Sequence, residues 1–145
     1  MRDFQEALPF KLLRARDATM SHFRPILNSH GVTEQQWRII RTLEKHGELE
    51  PRFLAQRCAL LSPSLTGILR RLEQSGLVER HRVPEDRRRV NLCLTSKGLE
   101  LFERIRPEVE AKYQEFEVQV SPDKLERLNR LLNDVITLGA NVSGE

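Results

Sequence analysis

A chain of 145 residues is the size of one ordinary domain and can bury a core without disulfides or metals. Its 39% hydrophobic and 31% charged residues are the proportions of a soluble globular protein, and no apolar run approaches the roughly 20 residues of a membrane span. Net charge is +3, distributed as +1 over residues 1–51, +5 over 52–91 and −3 over 92–145. That concentration in the middle third fits a localised polyanion-binding surface.

The opening "MRDFQEALPFK" lacks the uninterrupted apolar stretch of a secretory signal, so a cytoplasmic location is expected. From Leu8 to Ser29, Leu8, Leu12, Met20, Phe23 and Leu27 recur at helical spacing, with Gly31 as the stop. In "VTEQQWRIIRTLEKHG", Thr33 and Gln36 form a capping box. Trp37, Ile40 and Leu43 share one face, and Gly47 closes the helix. "EPRFLAQRCAL" offers Phe53, Leu54 and Leu60 to a small buried helix whose start is poorly marked by Glu50. "LSPSLTGILRRLEQSGLVER" places Ser62 at the N-cap, Pro63 at the first helical position and Gly76 at the end.

"LVERHRV" and "VNLCL" read as strands joined by "PEDRRR", a β-hairpin with a basic tip. Val90, Leu92 and Leu94 form its buried face. Thr95 can cap a long helix striped by Phe102, Ile105, Val109, Tyr113, Phe116 and Val120, in which Pro107 should produce a kink. Ser121-Pro122 starts a last helix carrying Leu125, Leu128, Leu131, Leu132, Val135 and Leu138. The fold expected is mainly α: a winged helix-turn-helix over residues 33–94, with a two-stranded hairpin as its wing. Helices over 1–30 and 96–140 lie outside that lobe, and a second copy of the chain is the simplest cover for their apolar stripes.

Leu65, Leu69 and Leu72 must be the buried face of their helix, leaving Ser62, Ser64, Thr66, Gly67, Arg70 and Arg71 on the open side. Small hydroxylated residues at the leading end, with arginines a turn later, suit a helix entering the major groove. The hydroxyls and helix N-terminus meet phosphates or base edges there. A surface helix with two solvated arginines would look the same. The hairpin favours DNA, because Glu85 and Asp86 cannot pair all of Arg87, Arg88 and Arg89. An arginine on a rigid hairpin can enter the minor groove. Asp86 is placed to orient Arg88 by a charge-assisted contact.

The run Asp86-x-Arg88, followed by Leu94, Thr95, Lys97 and Gly98, resembles the wing signature of the MarR family of transcription regulators. The resemblance extends over nearly the whole chain, which then reads as one MarR-type domain over residues 1–145. Within the family, "TEQQWRI" and "SPSLTGIL" are most similar to repressors of homoprotocatechuate (aromatic acid) degradation operons. The resemblance implies a homodimer on an inverted-repeat operator in double-stranded DNA, with Ser64, Thr66 and Arg88 at contact positions. Gly67 departs from the pattern, standing where several relatives carry a larger polar or basic side chain.

Such regulators commonly answer to a small phenolic or aromatic acid. Arg16 lies in the Leu12–Met20–Phe23 stripe, where a charge needs a counter-charge or a watery recess. A carboxylate effector could supply it, with Phe23 and Trp37 as walls, Met20 alongside and Arg14 or Arg41 nearby. An acid of the partner chain is the bland alternative. A redox switch at Cys58 or Cys93 is the competing regulatory reading, although neither stands beside a second cysteine. No metal or cofactor is expected: His22, His30, His46 and His81 lack ligand spacing, and no catalytic triad or phosphate-binding glycine loop is present. An enzyme is therefore not expected. A purely structural helical dimer would leave the basic hairpin unexplained.

Overall fold

The computed structural model describes Met1 and residues 3–142, the last two by their backbone alone. The chain forms two compact units, Met1–Val109 and Glu110–Glu145. After a 3₁₀ turn at Phe4–Glu6 come α1 (Leu8–Met20), α2 (Arg24–Ser29), α3 (Glu34–His46), α4 (Pro51–Cys58) and α5 (Ser62–Gln74). The hairpin strands β1 (Val78–Val83) and β2 (Asp86–Leu94) follow, then α6 (Ser96–Val120) and α7 (Pro122–Val142). This is the expected mainly helical, winged helix-turn-helix order.

Residues 8–29 do not form one helix. The chain turns after Met20, and α2 restarts with Pro25 in its first turn. Proline has no N–H to donate and its ring crowds the preceding turn, so an uninterrupted helix through residue 25 is disfavoured. No residue of α1 is buried, whereas Phe23 and Leu27 are. The long apolar stripe therefore belongs to two separate elements.

Helix α3 starts as its sequence dictates. Thr33 Oγ1 accepts from the Gln36 backbone N–H at 3.1 Å, and Gln36 Oε1 accepts from the Thr33 N–H at 3.0 Å. Two of the orphan N–H groups at the helix start are thereby satisfied. Thr33→Ala should cost about 1 kcal/mol in urea unfolding, and an unchanged midpoint would mean that water caps this end equally well. Trp37, Ile39, Ile40 and Leu43 are the buried face of α3. They join Leu54 of α4, Leu65, Leu69 and Leu72 of α5, and Leu92, Phe102 and Ile105 in one core. Trp37 stacks on Phe102, ring centroids 5.5 Å apart.

β1 and β2 pair antiparallel, with Val78 opposite Leu94 and Arg82 opposite Val90. Leu49, just before α4, adds a one-residue third strand. Its N–H donates to the Leu92 carbonyl at 3.0 Å and its carbonyl accepts from the Leu92 N–H at 2.8 Å. Of the face expected to be buried, Leu92 is fully so, while Val90 and Leu94 are half-buried.

The end of α5 and the start of α6 are tied together. Thr95 caps α6 by accepting from the Gly98 N–H at 3.1 Å and donates its own hydroxyl to the Gly76 carbonyl at 2.5 Å. Lys97 Nζ donates to the Ser75 carbonyl at 2.8 Å, and the Thr95 N–H to the Leu77 carbonyl at 3.1 Å. Pro107 is accommodated inside α6.

In the second unit, Leu125 of α7 is buried. Leu128, Leu131, Val135, Ile136 and Leu138 of the same helix remain exposed, an apolar surface still to be covered.

Candidate nucleic-acid interface

Helix α5 divides as its spacing requires. Leu65, Leu69 and Leu72 are buried, and Ser62, Ser64, Thr66, Gly67, Arg70 and Arg71 are all exposed. The N-cap is Leu61 rather than Ser62, with Pro63 in the first turn. Leu61 has no side-chain acceptor to offer, so the leading N–H groups of α5 are left to outside partners. Thr66 Oγ1 donates to the Ser62 carbonyl at 3.1 Å and keeps its lone pairs outward. A Cβ on Gly67 would meet nothing within 4 Å. The gap left by this glycine is therefore open surface rather than a packing requirement.

The hairpin is tighter than expected. Its turn is Pro84-Glu85 alone, and Arg87, Arg88 and Arg89 belong to β2 rather than to a loop. The register passes from Arg82↔Val90 to Val83↔Asp86, so the three arginines form a bulge with no partner residue on β1. Bulges redirect side chains and sharpen twist, and all three arginines are exposed.

Asp86 acts on this bulge differently from the expected guanidinium contact. Its Oδ1 accepts from the backbone N–H of Arg88 at 3.0 Å, orienting the main chain. Arg89 is paired: its Nε donates to Glu50 Oε1 at 2.6 Å, a residue 39 positions away that the Leu49–Leu92 bridge carries to the wing. Among the described residues no carboxylate pairs with Arg87 or Arg88, whose charges stay available to an external anion.

The proposed effector residues do not converge. Phe23 and Trp37 are core residues, 8% and 5% exposed, while Arg14 and Arg41 are exposed and Met20 is half-buried. Arg16 finds its counter-charge within its own chain, in an ion pair with Glu34, so neither a ligand nor a partner's acid is needed for it. Arg16 does line an open recess of about 420 Å³ with Thr33, Glu34, Gln35, Arg38 and Ala59. Sequence reading missed Arg38, a charged residue between the buried Trp37 and Ile39. Its Nη1 donates to the Cys58 carbonyl at 2.8 Å, and its Nε is buried without a partner.

Both thiols are pushed up from the usual cysteine range. For Cys58 the cause is burial, partly offset by the Thr42 hydroxyl and Arg38; for Cys93 it is burial, then the Glu79 and Glu48 carboxylates. Neither environment generates the thiolate that oxidation chemistry requires. Folding brings Glu48, His81 and Cys93 together, a grouping that spacing in the sequence does not reveal.

The family model described as MarR family matches residues 32–90. The homoprotocatechuate degradative operon repressor of Escherichia coli is 42% identical over 134 residues, covering 92% of this chain and 90% of that one. The HTH-type transcriptional regulator FarR of Neisseria gonorrhoeae is 48% identical over 124 residues, 86% of this chain and 85% of its own. The crystal structure of NadR in complex with 4-hydroxyphenylacetate superposes with a TM-score of 0.78 at 43% identity, over 93% of this chain and 96% of that one.

Proposed function

Because this chain belongs to the MarR family of transcription regulators, we propose that it is a homodimeric repressor of an aromatic-compound catabolic operon. It grips an inverted-repeat operator through α5 and the wing and lets go when a small phenolic or aromatic carboxylic acid binds. The observation that carries the DNA half of this reading is the pairing of two exposed surfaces. One is the polar face of α5; the other is a bulge that presents Arg87 and Arg88 without counter-charges. Ser62, Ser64, Thr66 and Gly67 lead α5 into the major groove, with Arg70 and Arg71 reaching base edges or phosphates. Arg87 and Arg88 take the flanking minor groove, on a backbone held by Asp86. The exposed apolar side of α7 meets its equivalent in a second copy, and the operator half-sites that such a dimer reads lie about one turn of DNA, ~34 Å, apart.

The effector half is supported by two relatives, one that represses a homoprotocatechuate operon and one crystallised with 4-hydroxyphenylacetate. On this chain the recess beside Arg16 and Arg38 suits an aromatic acid, whose carboxylate would give the buried Arg38 Nε the partner it lacks. An acid that prefers the non-binding spacing of the dimer by ~1–3 kcal/mol is a sufficient switch.

The test is a fluorescence-anisotropy titration on DNA upstream of the protein's own gene, with and without 4-hydroxyphenylacetate. Expected is salt-dependent binding that the acid weakens about 5- to 150-fold. Arg38→Met, which keeps the aliphatic stem, should retain DNA binding and lose the response to acid. No binding at low salt by folded protein would sink the repressor reading at that site. An acid response unchanged in Arg38→Met would place the effector elsewhere.

A further inference from the structure

We propose that the base of the wing is a binding site for a borderline divalent transition metal of the zinc type, with Cys93 Sγ, His81 Nδ1 and a carboxylate oxygen of Glu48 as ligands. Three separated segments supply them: the stub before α4, β1 and β2. The Leu49–Leu92 bridge and the Glu79↔Cys93 and His81↔Asn91 register bring these segments into line. One ligand atom from each of Glu48, His81 and Cys93 lies within 4.8 Å of the others.

The spacings approach those of a ligand set around one ion. Zinc holds nitrogen and oxygen at about 2.0–2.2 Å and thiolate sulfur at about 2.3 Å, in tetrahedral array. Tetrahedral geometry then separates neighbouring ligand atoms by about 3.3–3.8 Å. His81 Nδ1 is 3.4 Å from Glu48 Oε1 and 4.0 Å from Cys93 Sγ. Closing the set to tetrahedral spacing takes side-chain movements of up to about an ångström, and these side chains are exposed or half-buried and have room to make them.

The surroundings strengthen the assignment. Histidine ligands usually donate their second ring N–H to a carboxylate, and carboxylate ligands are themselves hydrogen-bonded. Both partners are present. His81 Nε2 stands 3.2 Å from Glu79 Oε1, and Asn91 Nδ2 donates to Glu48 Oε2 at 3.2 Å, leaving Oε1 for the metal. Glu79 Oε1 is also 3.8 Å from Cys93 Sγ, so one carboxylate flanks both the imidazole and the thiol. Two carboxylates beside a thiol repel a thiolate, and a divalent cation removes that repulsion. Binding forms the metal–sulfur bond as the S–H proton leaves to solvent. A donor set of thiolate, imidazole and carboxylate selects zinc-like ions over magnesium or calcium. An ion here would clamp both wing strands to the stub before α4.

The test uses the untagged full chain after chelator treatment, titrated with Co²⁺ and then with Zn²⁺ against a chromophoric chelator. Expected is one ion per chain, with a thiolate-to-cobalt charge-transfer band that Zn²⁺ displaces and a higher melting temperature on loading. The band should vanish in Cys93→Ser and persist in Cys58→Ser. His81→Ala, at an exposed ring, should abolish tight binding while keeping the native circular dichroism. Glu79→Gln should weaken binding about 10- to 100-fold. Absence of the band in folded wild-type protein, or Zn²⁺ affinity unchanged by both Cys93→Ser and His81→Ala, would overturn the site. DNA binding does not enter the readout, so this result stands apart from the repressor test.

Discussion

Replacing Arg88 with alanine is expected to weaken operator binding about 5- to 150-fold, since one specific groove contact by an arginine is worth roughly 1–3 kcal/mol. The melting temperature should not move. Arg88 is exposed, and its hydrogen bond to Asp86 runs through the backbone N–H, which alanine retains. The mutation therefore separates binding from folding. The slope of log affinity against log salt should also fall, by about 0.9 if the guanidinium neutralises one phosphate. Arg89 is a built-in comparison. It already has a carboxylate in Glu50, so Arg89→Ala should change the salt slope less while loosening the tie between wing and α4. Equal salt slopes for Arg88→Ala and wild type, with affinity unchanged, would remove the wing from the interface. DNA recognition would then fall to α5 alone.

The second large effect is expected at Gly98. A Cβ built there would collide with the Leu77 carbonyl oxygen and stand 3.2 Å from Leu94 Cδ2. The first contact is with backbone, so no rotamer change relieves it. To admit alanine, the first turn of α6 must lift from the chain between α5 and β1. That would stretch the bonds from Thr95 to Gly76 and from Lys97 to Ser75. Overpacking of this kind costs about 1–3 kcal/mol and occasionally more, and the upper end applies because the neighbour is main chain. Gly98→Ala should lower the melting temperature by several degrees, about 2–4 °C for each kcal/mol in a chain of this size. Gly67→Ala, with open space around its Cβ, is the control and should cost little or slightly stabilise α5. A Gly98→Ala protein melting like wild type would mean that the α6 start slides without penalty.

The two glycines show where sequence reading reaches and where it stops. Helix order was legible because strong local signals coincide with it. The Thr33–Gln36 box, the leucine face of α5 and Thr95 ahead of α6 each act within a few residues. Pro25 was also local, but the apolar spacing on either side masked the break it imposes. Leu49 is different: one residue pairing with a distant strand has no period to detect. Everything that follows from that bridge was hidden with it. Glu50 marks the start of α4 poorly and Glu48 carries no signal in the sequence, yet they meet Arg89 and His81 across 39 and 33 positions. The sequence shows Arg16 as a charge in need of a partner, but Glu34 lies on another helix and no local pattern marks it as that partner. The exposed face of α5 is legible residue by residue because burial on a helix follows from spacing alone. The arginines look like loop residues in the sequence because a three-residue bulge depends on register, which composition does not carry.

The bonds joining residues 75–77 to the first turn of α6 bear on how a signal can travel. Side-chain and main-chain hydrogen bonds and a contact too close for a methyl group fix the end of α5 to the start of α6. A joint fastened at that many points has little play. The first turn of α6 and the end of α5 should therefore turn together, so that on the proposed function an effector would have no need to deform α5 itself. A small rotation applied at α6 would then change the angle at which the exposed Ser64 and Thr66 are presented.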